Sequence, residues 1–401
     1  MTPWQKRISE RLAAVEDQGL RRVRKTLSSP QQVAVTVNGK RLVSFCSNDY
    51  LGLASHPLVV EALQEASGRY GVGSGAAHLV SGHSEAHAAL EQALADFTGR
   101  ERALLFSTGY MANLGILSTL ARRGDAIFED RLNHASLLDA ALLSGARLQR
   151  YPHADVEALE RRLLACRVEH RLIVTDGVFS MDGDLAPLAD LADLASRQGA
   201  CLVVDDAHGF GVLGVSGRGS LEQQGLNPDQ VPVLMGTLGK ALGTFGAFVA
   251  GSAELMECLM QTARTYIYTT ALPPALTEAT RASLRLVQAE PERRARLAER
   301  IEQFRAGVAA LGWHHLLLPS STPIQALILG DNTLTLTVGQ RLLEAGFWVG
   351  TIRPPTVPVG TARLRITFSA LHTPTQVDDL LTALSRSLAS SASCLPLSPG
   401  D

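Results

Sequence analysis

Residues 172–209 read LIVTDGVFSMDGDLAPLADLADLASRQGACLVVDDAHG. An apolar β-branched run opens the stretch (172–175, LIVT) and another closes it (202–204, LVV). Between them, 187–198 (PLADLADLASRQ) carries apolar residues at helical spacing. Pro187 suits the first turn of a helix. Gly199 stands where a helix stop is expected. The same alternation extends outward. Short apolar runs recur at 103–106 (ALLF), 126–128 (AIF), 233–235 (VLM) and 247–250 (AFVA), and 84–97 (SEAHAALEQALADF) has helical spacing. Strands alternating with helices imply the α/β class: a mainly parallel central sheet flanked by helices. In such sheets ligands sit at the carboxyl ends of the strands.

The rest of the chain is organised around this unit. Residues 4–25 predict a polar amphipathic helix with a basic end (Arg21, Arg22, Arg24, Lys25). Pro273 and Pro274 break the chain, and a charged helical region, strand-like IQALILG and ARLRITF, and helical PTQVDDLLTALSRSLA follow. The expected organisation is an N-terminal helix and arm (1–45), a large domain (46–275), and a smaller C-terminal α+β domain (276–388). The Ser/Pro-rich residues 389–401 are expected to form a disordered tail. The formal net charge of -2 gives no bulk attraction to nucleic acid or an anionic membrane. There is no signal-like apolar core or membrane-length apolar run. The five cysteines are odd in number, widely spaced and free of CxxC, so neither a disulfide framework nor a metal site is expected. These features point to a cytoplasmic protein with no nucleic-acid or membrane partner.

Five segments carry chemistry. In VLMGTLGKALG (233–243), a strand runs into glycines around Lys240. The glycines let a bulky group approach. A lysine in apolar surroundings can lose its charge and become an amine nucleophile. In LVVDDAHG (202–209), Asp205 falls at a strand end and His208 lies three residues on. In FSTGYMAN (106–113), a turn leads into a helix, and the N–H groups of Gly109 and Tyr110 would suit a phosphate. His134 precedes a helix in DRLNHASLLD (130–139), where its ring could stack on a flat heteroaromatic ring. Ser180 lies in the polar loop TDGVFSMDGD (175–184), where Asp176 and Asp182 could equally be turn formers. Each signal alone has a plainer reading: a surface lysine, a helix cap, an ion pair. Together they fit one cofactor, pyridoxal phosphate, whose electron sink requires a ring nitrogen kept protonated by a fixed carboxylate.

The sequence resembles the α-oxoamine synthases among the fold-type I pyridoxal-phosphate enzymes. The resemblance runs from about residue 4 to residue 387. It is carried by SNDYLGL (47–53), GSGAAHLVSG (73–82), DRLNHASLLDA (130–140), TDGVFSMDGDLAPL (175–188) and VDDAHGFGVLG (204–214). GTLGKALG (236–243), YIYTTALPP (266–274) and TARLRITFSALHT (361–373) complete the set. Members of this family make 8-amino-7-oxononanoate, 5-aminolevulinate, 2-amino-3-ketobutyrate or 3-ketosphinganine. The segment IRPPTVPVGTARLRIT (352–367), the opening WQKRI and DNTLTL (331–336) are similar to the first branch. That branch condenses L-alanine with pimeloyl-CoA or a pimeloyl-acyl-carrier protein, losing CO2, in biotin biosynthesis. A sibling using glycine or serine is the nearer alternative, and a non-catalytic binding protein on the same fold the distant one.

The resemblance implies a role for each matching residue. Lys240 would carry the cofactor as a Schiff base, Asp205 would pair with its ring nitrogen, and His134 would stack on the ring. His208 would bond the ring oxygen. Gly109, Tyr110, Ser180 and Thr237 would hold the cofactor or its phosphate. Thr269 and Thr270 would reach the cofactor of the neighbouring subunit in a homodimer with shared sites. Arg365 would hold the amino-acid carboxylate, with Asn48 nearby, while Arg21 and Thr356 would contact the acyl substrate. Tyr110 stands where phenylalanine is frequent, Asp176 where glutamate is common, and Ala76, Ala77 and His78 depart from the usual 73–82 pattern.

Overall fold

The computed structural model describes residues 1–17 and 20–389. In chain order the first six strands are β1 (Ala34–Val37), β2 (Lys40–Phe45), β3 (Arg102–Phe106), β4 (Ala126–Asp130), β5 (Arg147–Tyr151) and β6 (Arg171–Asp176). The next six are β7 (Cys201–Asp205), β8 (Val233–Thr237), β9 (Ala247–Gly251), β10 (Ile324–Gly330), β11 (Phe347–Ile352) and β12 (Ala362–Thr367). Seven of them form one sheet in the order β3-β9-β8-β7-β6-β4-β5. Strand β9 pairs antiparallel with both neighbours, and the remaining pairs are parallel. Every residue of β4 and β9 is buried, as a sheet covered on both faces requires.

The helix expected over 187–198 runs Leu188–Gln198, with Pro187 one position earlier, at the N-cap, and Gly199 left-handed at φ 61°. A C-cap in that conformation needs no Cβ, which is why glycine sits there. The helix at 84–97 is observed as Glu85–Thr98, capped by Ser84. Strand β5 (RLQRY) has no counterpart among the expected runs. It is the sheet's edge, so only Tyr151 is fully buried and its polar residues hide the strand signal.

The second sheet has the order β1-β2-β11-β12-β10. Its first two strands come from residues 34–45 and the rest from 324–367. The parallel register Val43↔Phe347 joins them. The helix Pro274–Ala289, with Pro274 at its first position, packs on the helix Pro57–Tyr70. A large apolar cluster spans both regions, from Leu90 and Phe248 to Phe304 and Phe368.

One expectation needs correction. The helix expected over 4–25 ends at Asp17, and residues 20–25 are not helical. The helix Pro3–Asp17 buries none of its side chains, so no packing supports a longer helix. Beyond Ala389, the expected tail lies outside the described residues. Among the described residues, no helix is long and apolar enough to cross a membrane, and no His/Cys/Asp/Glu group could hold a metal.

Candidate active site

The carboxyl ends of β4, β6, β7 and β8 open onto a cavity of about 190 Å3. Eight residues named from sequence line it: Gly109, Tyr110, His134, Ser180, Asp205, His208, Thr237 and Lys240. They come from five segments far apart in the chain. The parallel register aligns Asp176, Asp205 and Met235 side by side, so the loops after these strands leave the sheet together.

Lys240 follows β8. Its Nζ lies 2.9 Å from His208 Nε2. Burial, partly opposed by Asp205 and Asp176, pushes the amine down to about 8. His208 is held well below the ordinary imidazole range, first by burial and then by the Lys240 charge, so it is neutral. A neutral imidazole has one donor and one acceptor nitrogen. Tyr50 Oη lies 2.7 Å from His208 Nδ1 and 3.2 Å from Asn48 Oδ1. One arrangement satisfies all four groups: Lys240 donates to Nε2, Nδ1–H donates to Tyr50, and Tyr50 donates to Asn48.

Asp205 ends β7. Asn113 Nδ2 donates to its Oδ2 at 2.8 Å, and the Ala207 N–H donates to Oδ1 at 3.0 Å. Asn113 also reaches Ser136 Oγ at 2.8 Å. These bonds fix the carboxylate's orientation. His134 caps the helix Ala135–Ser144, its Nδ1 accepting from the Ser136 N–H. That leaves Nε2 as the protonated nitrogen of the neutral ring. Asp176, named as a possible turn former, is buried at the end of β6 and accepts the His134 N–H at 3.1 Å. Burial, then Asp205, raises its carboxyl well above the usual range. Its Oδ1 has no hydrogen-bond partner among the described residues.

The helix Gly109–Leu120 starts at the cavity, with Thr108 capping the Met111 N–H. Its first N–H groups have no intrahelical acceptor, and the helix dipole favours an anion there. The Tyr110 ring is 43% exposed and its hydroxyl donates to Asp139. Thr237 Oγ1 donates to the Gly246 carbonyl at 3.1 Å.

The remaining candidates lie apart from this lining. Arg365, on β12, donates through Nε to the Ser180 carbonyl at 2.6 Å and reaches Asn48 Oδ1 at 3.3 Å. It therefore connects to Lys240 through Asn48, Tyr50 and His208. Arg21 and Thr356 share a groove of about 370 Å3 outside the Lys240 cavity, and Thr356 also lines a further cavity of about 360 Å3. Thr269 is half-buried, Thr270 is exposed, and neither lines the Lys240 cavity. Sequence reasoning missed Asn113, Tyr50 and Ser136. Asn113 is a polar residue in an apolar helix, with 0% exposure, and that mismatch was the available signal.

The cavity's donors fit pyridoxal phosphate. An amine of lowered basicity, an oriented carboxylate and a helix N-terminus for the phosphate line one cavity. The orphaned Asp176 Oδ1 at the cavity wall leaves a polar atom for a bound group to satisfy.

The family described as aminotransferase class I and II matches residues 40–384. The chain is 63% identical to an 8-amino-7-oxononanoate synthase of Methylococcus capsulatus, over 93% of this chain and 96% of that protein. It is 59% identical to the enzyme of that name from Thioalkalivibrio sulfidiphilus, over 93% and 95% of the two chains. Among solved structures, serine palmitoyltransferase of Sphingomonas wittichii superposes with a TM-score of 0.91 at 33% identity, covering 98% and 99% of the chains. An 8-amino-7-oxononanoate synthase from Francisella tularensis gives 0.76 at 33% identity, covering 88% and 99%.

Proposed function

The chain belongs to the class I and II aminotransferase family and, within it, to the 8-amino-7-oxononanoate synthases, and from that premise we propose how its residues act. It is a pyridoxal-phosphate-dependent acyltransferase of the fold-type I class, serving biotin biosynthesis. Its substrates are L-alanine and a pimeloyl thioester, and its products are 8-amino-7-oxononanoate, CO2 and the free thiol carrier. The fold alone does not choose the substrate, since serine palmitoyltransferase superposes well. The identity to the synthases is what favours alanine and pimeloyl.

The observation that carries the mechanism is the Lys240–His208–Tyr50–Asn48–Arg365 hydrogen-bonded line. Lys240 would hold the cofactor, with Asp205 at its ring nitrogen, the Gly109 and Tyr110 amides at its phosphate, and His134 against its ring. When bound, the cofactor supplies an electron sink for the Cα electrons of alanine. Lys240, with its basicity lowered to about 8, is matched to taking the Cα proton near neutral pH. Neutral His208 accepts a hydrogen bond from Nζ and keeps the amine aimed. Arg365 offers a planar fork to the alanine carboxylate, which places the Cα–H and the carboxylate at different sides of one site. Arg21 and Thr356 contact the acyl substrate, and Thr269 and Thr270 serve the site of a second subunit.

The test is product formation. Holoprotein is given pimeloyl-CoA with L-alanine, glycine or L-serine, and thiol release and product mass are measured. Alanine should give 8-amino-7-oxononanoate. Turnover with glycine or serine but not alanine would overturn the substrate assignment and leave the family intact.

A further inference from the structure

A second cavity, of about 360 Å3, lies beside the Lys240 cavity. Their linings interleave along two loops of the chain. Asn133 and Phe179 line the second cavity, while their chain neighbours His134 and Ser180 line the first. The second cavity is walled mainly by apolar side chains, including Leu132, Phe179, Met181 and Ile328. The rest of its lining is polar, from Asn133, Thr356 and Thr361, and charged, from Arg131, Arg363 and Asp182. Arg363 is buried and paired with Asp182, so those two charges cancel. Arg131 is exposed, and among the described residues no carboxylate pairs with its guanidinium. Two cations against one anion leave one surplus positive charge, and it belongs to Arg131.

We infer that this cavity is the acyl subsite and that Arg131 is its specificity-determining residue. The cavity takes a short aliphatic chain that ends in a carboxylate, and Arg131 pairs with that carboxylate. The inference rests on the proposed reaction but goes beyond it, because it says which end of the acyl donor is read and by what. Three features require this occupant. The walls favour methylenes over water. The unpaired guanidinium favours a terminal anion and matches its planar geometry. The adjacent lining positions 133/134 and 179/180 put the chain's other end, with its carbonyl, beside the Lys240 cavity. The segment 131–134 thus turns one side chain to the acyl terminus and another, His134, to the reacting centre.

The test compares two donors, pimeloyl-CoA and its terminal methyl ester, on holoprotein with L-alanine. The readout is the ratio of their kcat/KM values. Arg131→Met should lower this ratio by about 10- to 100-fold, the loss of one charge-assisted bidentate contact. Arg131→Lys should restore part of it. An unchanged ratio in Arg131→Met would overturn the inference, whether both donors slow equally or neither does. The alanine-induced change in the cofactor's visible spectrum is recorded on the same samples. If the wild-type protein shows no such change, the proposed reaction itself fails. If it shows the change but has no preference for the free acid, only the acyl assignment fails.

Discussion

The two sheets of this protein divide the work differently. The seven-stranded sheet is built from one contiguous span, residues 102–251, and carries the reactive groups at its strand ends. The five-stranded sheet is assembled from both ends of the chain and contributes cations that grip the first sheet's loops. Arg363 and Arg365 lie two apart on β12, so they share a face. Arg363 binds Asp182, and Arg365 binds the Ser180 carbonyl. Both therefore hold the loop after β6. One sheet supplies chemistry; the other fixes the geometry of that chemistry and its access to substrate.

Substitutions in each sheet should separate these roles. Lys240→Ala should have the largest effect, lowering kcat by about 10^4-fold while thermal stability is retained. A residual rate within tenfold of wild type would show that another group does this work. Asp182→Asn should act in the opposite way, on stability. It leaves the Arg363 charge buried without its partner, at a cost of about 3 kcal/mol, measurable as a lower urea midpoint. An unchanged midpoint would mean the second sheet does not depend on this grip. Arg365→Ala should raise KM for alanine by about 10- to 100-fold with cofactor affinity intact. Loss of cofactor binding instead would place Arg365 in the first group.

The smallest expected effect concerns His153. Its Nδ1 lies 3.1 Å from Asp130 and its Nε2 2.7 Å from Asp184, tying the ends of β4 and the β6 loop. Burial opposes its charge, but the two carboxylates outweigh burial and push it up to about 10. A raised imidazole contributes stability that is complete below its ordinary value of 6.5 and is lost as pH rises through about 10. His153→Asn should therefore lower Tm by a few degrees at pH 6, with the gap closing toward pH 10. A gap that widens with pH would reverse the sign of this argument.

The same contrast explains what could be read from sequence. Strands β3, β4, β6, β7, β8 and β9 were all legible because each is a buried apolar run bounded by turns or helices. Their strand-end loops carried the chemistry, so Lys240, Asp205, His208 and His134 stood out by position as well as by type. Strand β5 was not legible because an edge strand keeps polar residues. The pairing of β2 with β11 was not legible because no local signal joins Val43 to Phe347 across the chain. Tyr50 looks like a core aromatic, and its bond to His208 exists only in three dimensions. Asp176 follows a strand as a turn residue would, and only the fold shows it buried beneath His134.

The most direct measurement is reductive trapping of the cofactor at a series of pH values. Protein incubated with pyridoxal phosphate is treated with borohydride, digested, and its labelled peptide identified by mass. The label should fall on Lys240, and the rate of its capture should rise with pH and level off above about 8, where the amine is neutral. A label on another lysine, or capture that keeps rising to the ordinary lysine value of 10.5, would contradict the account.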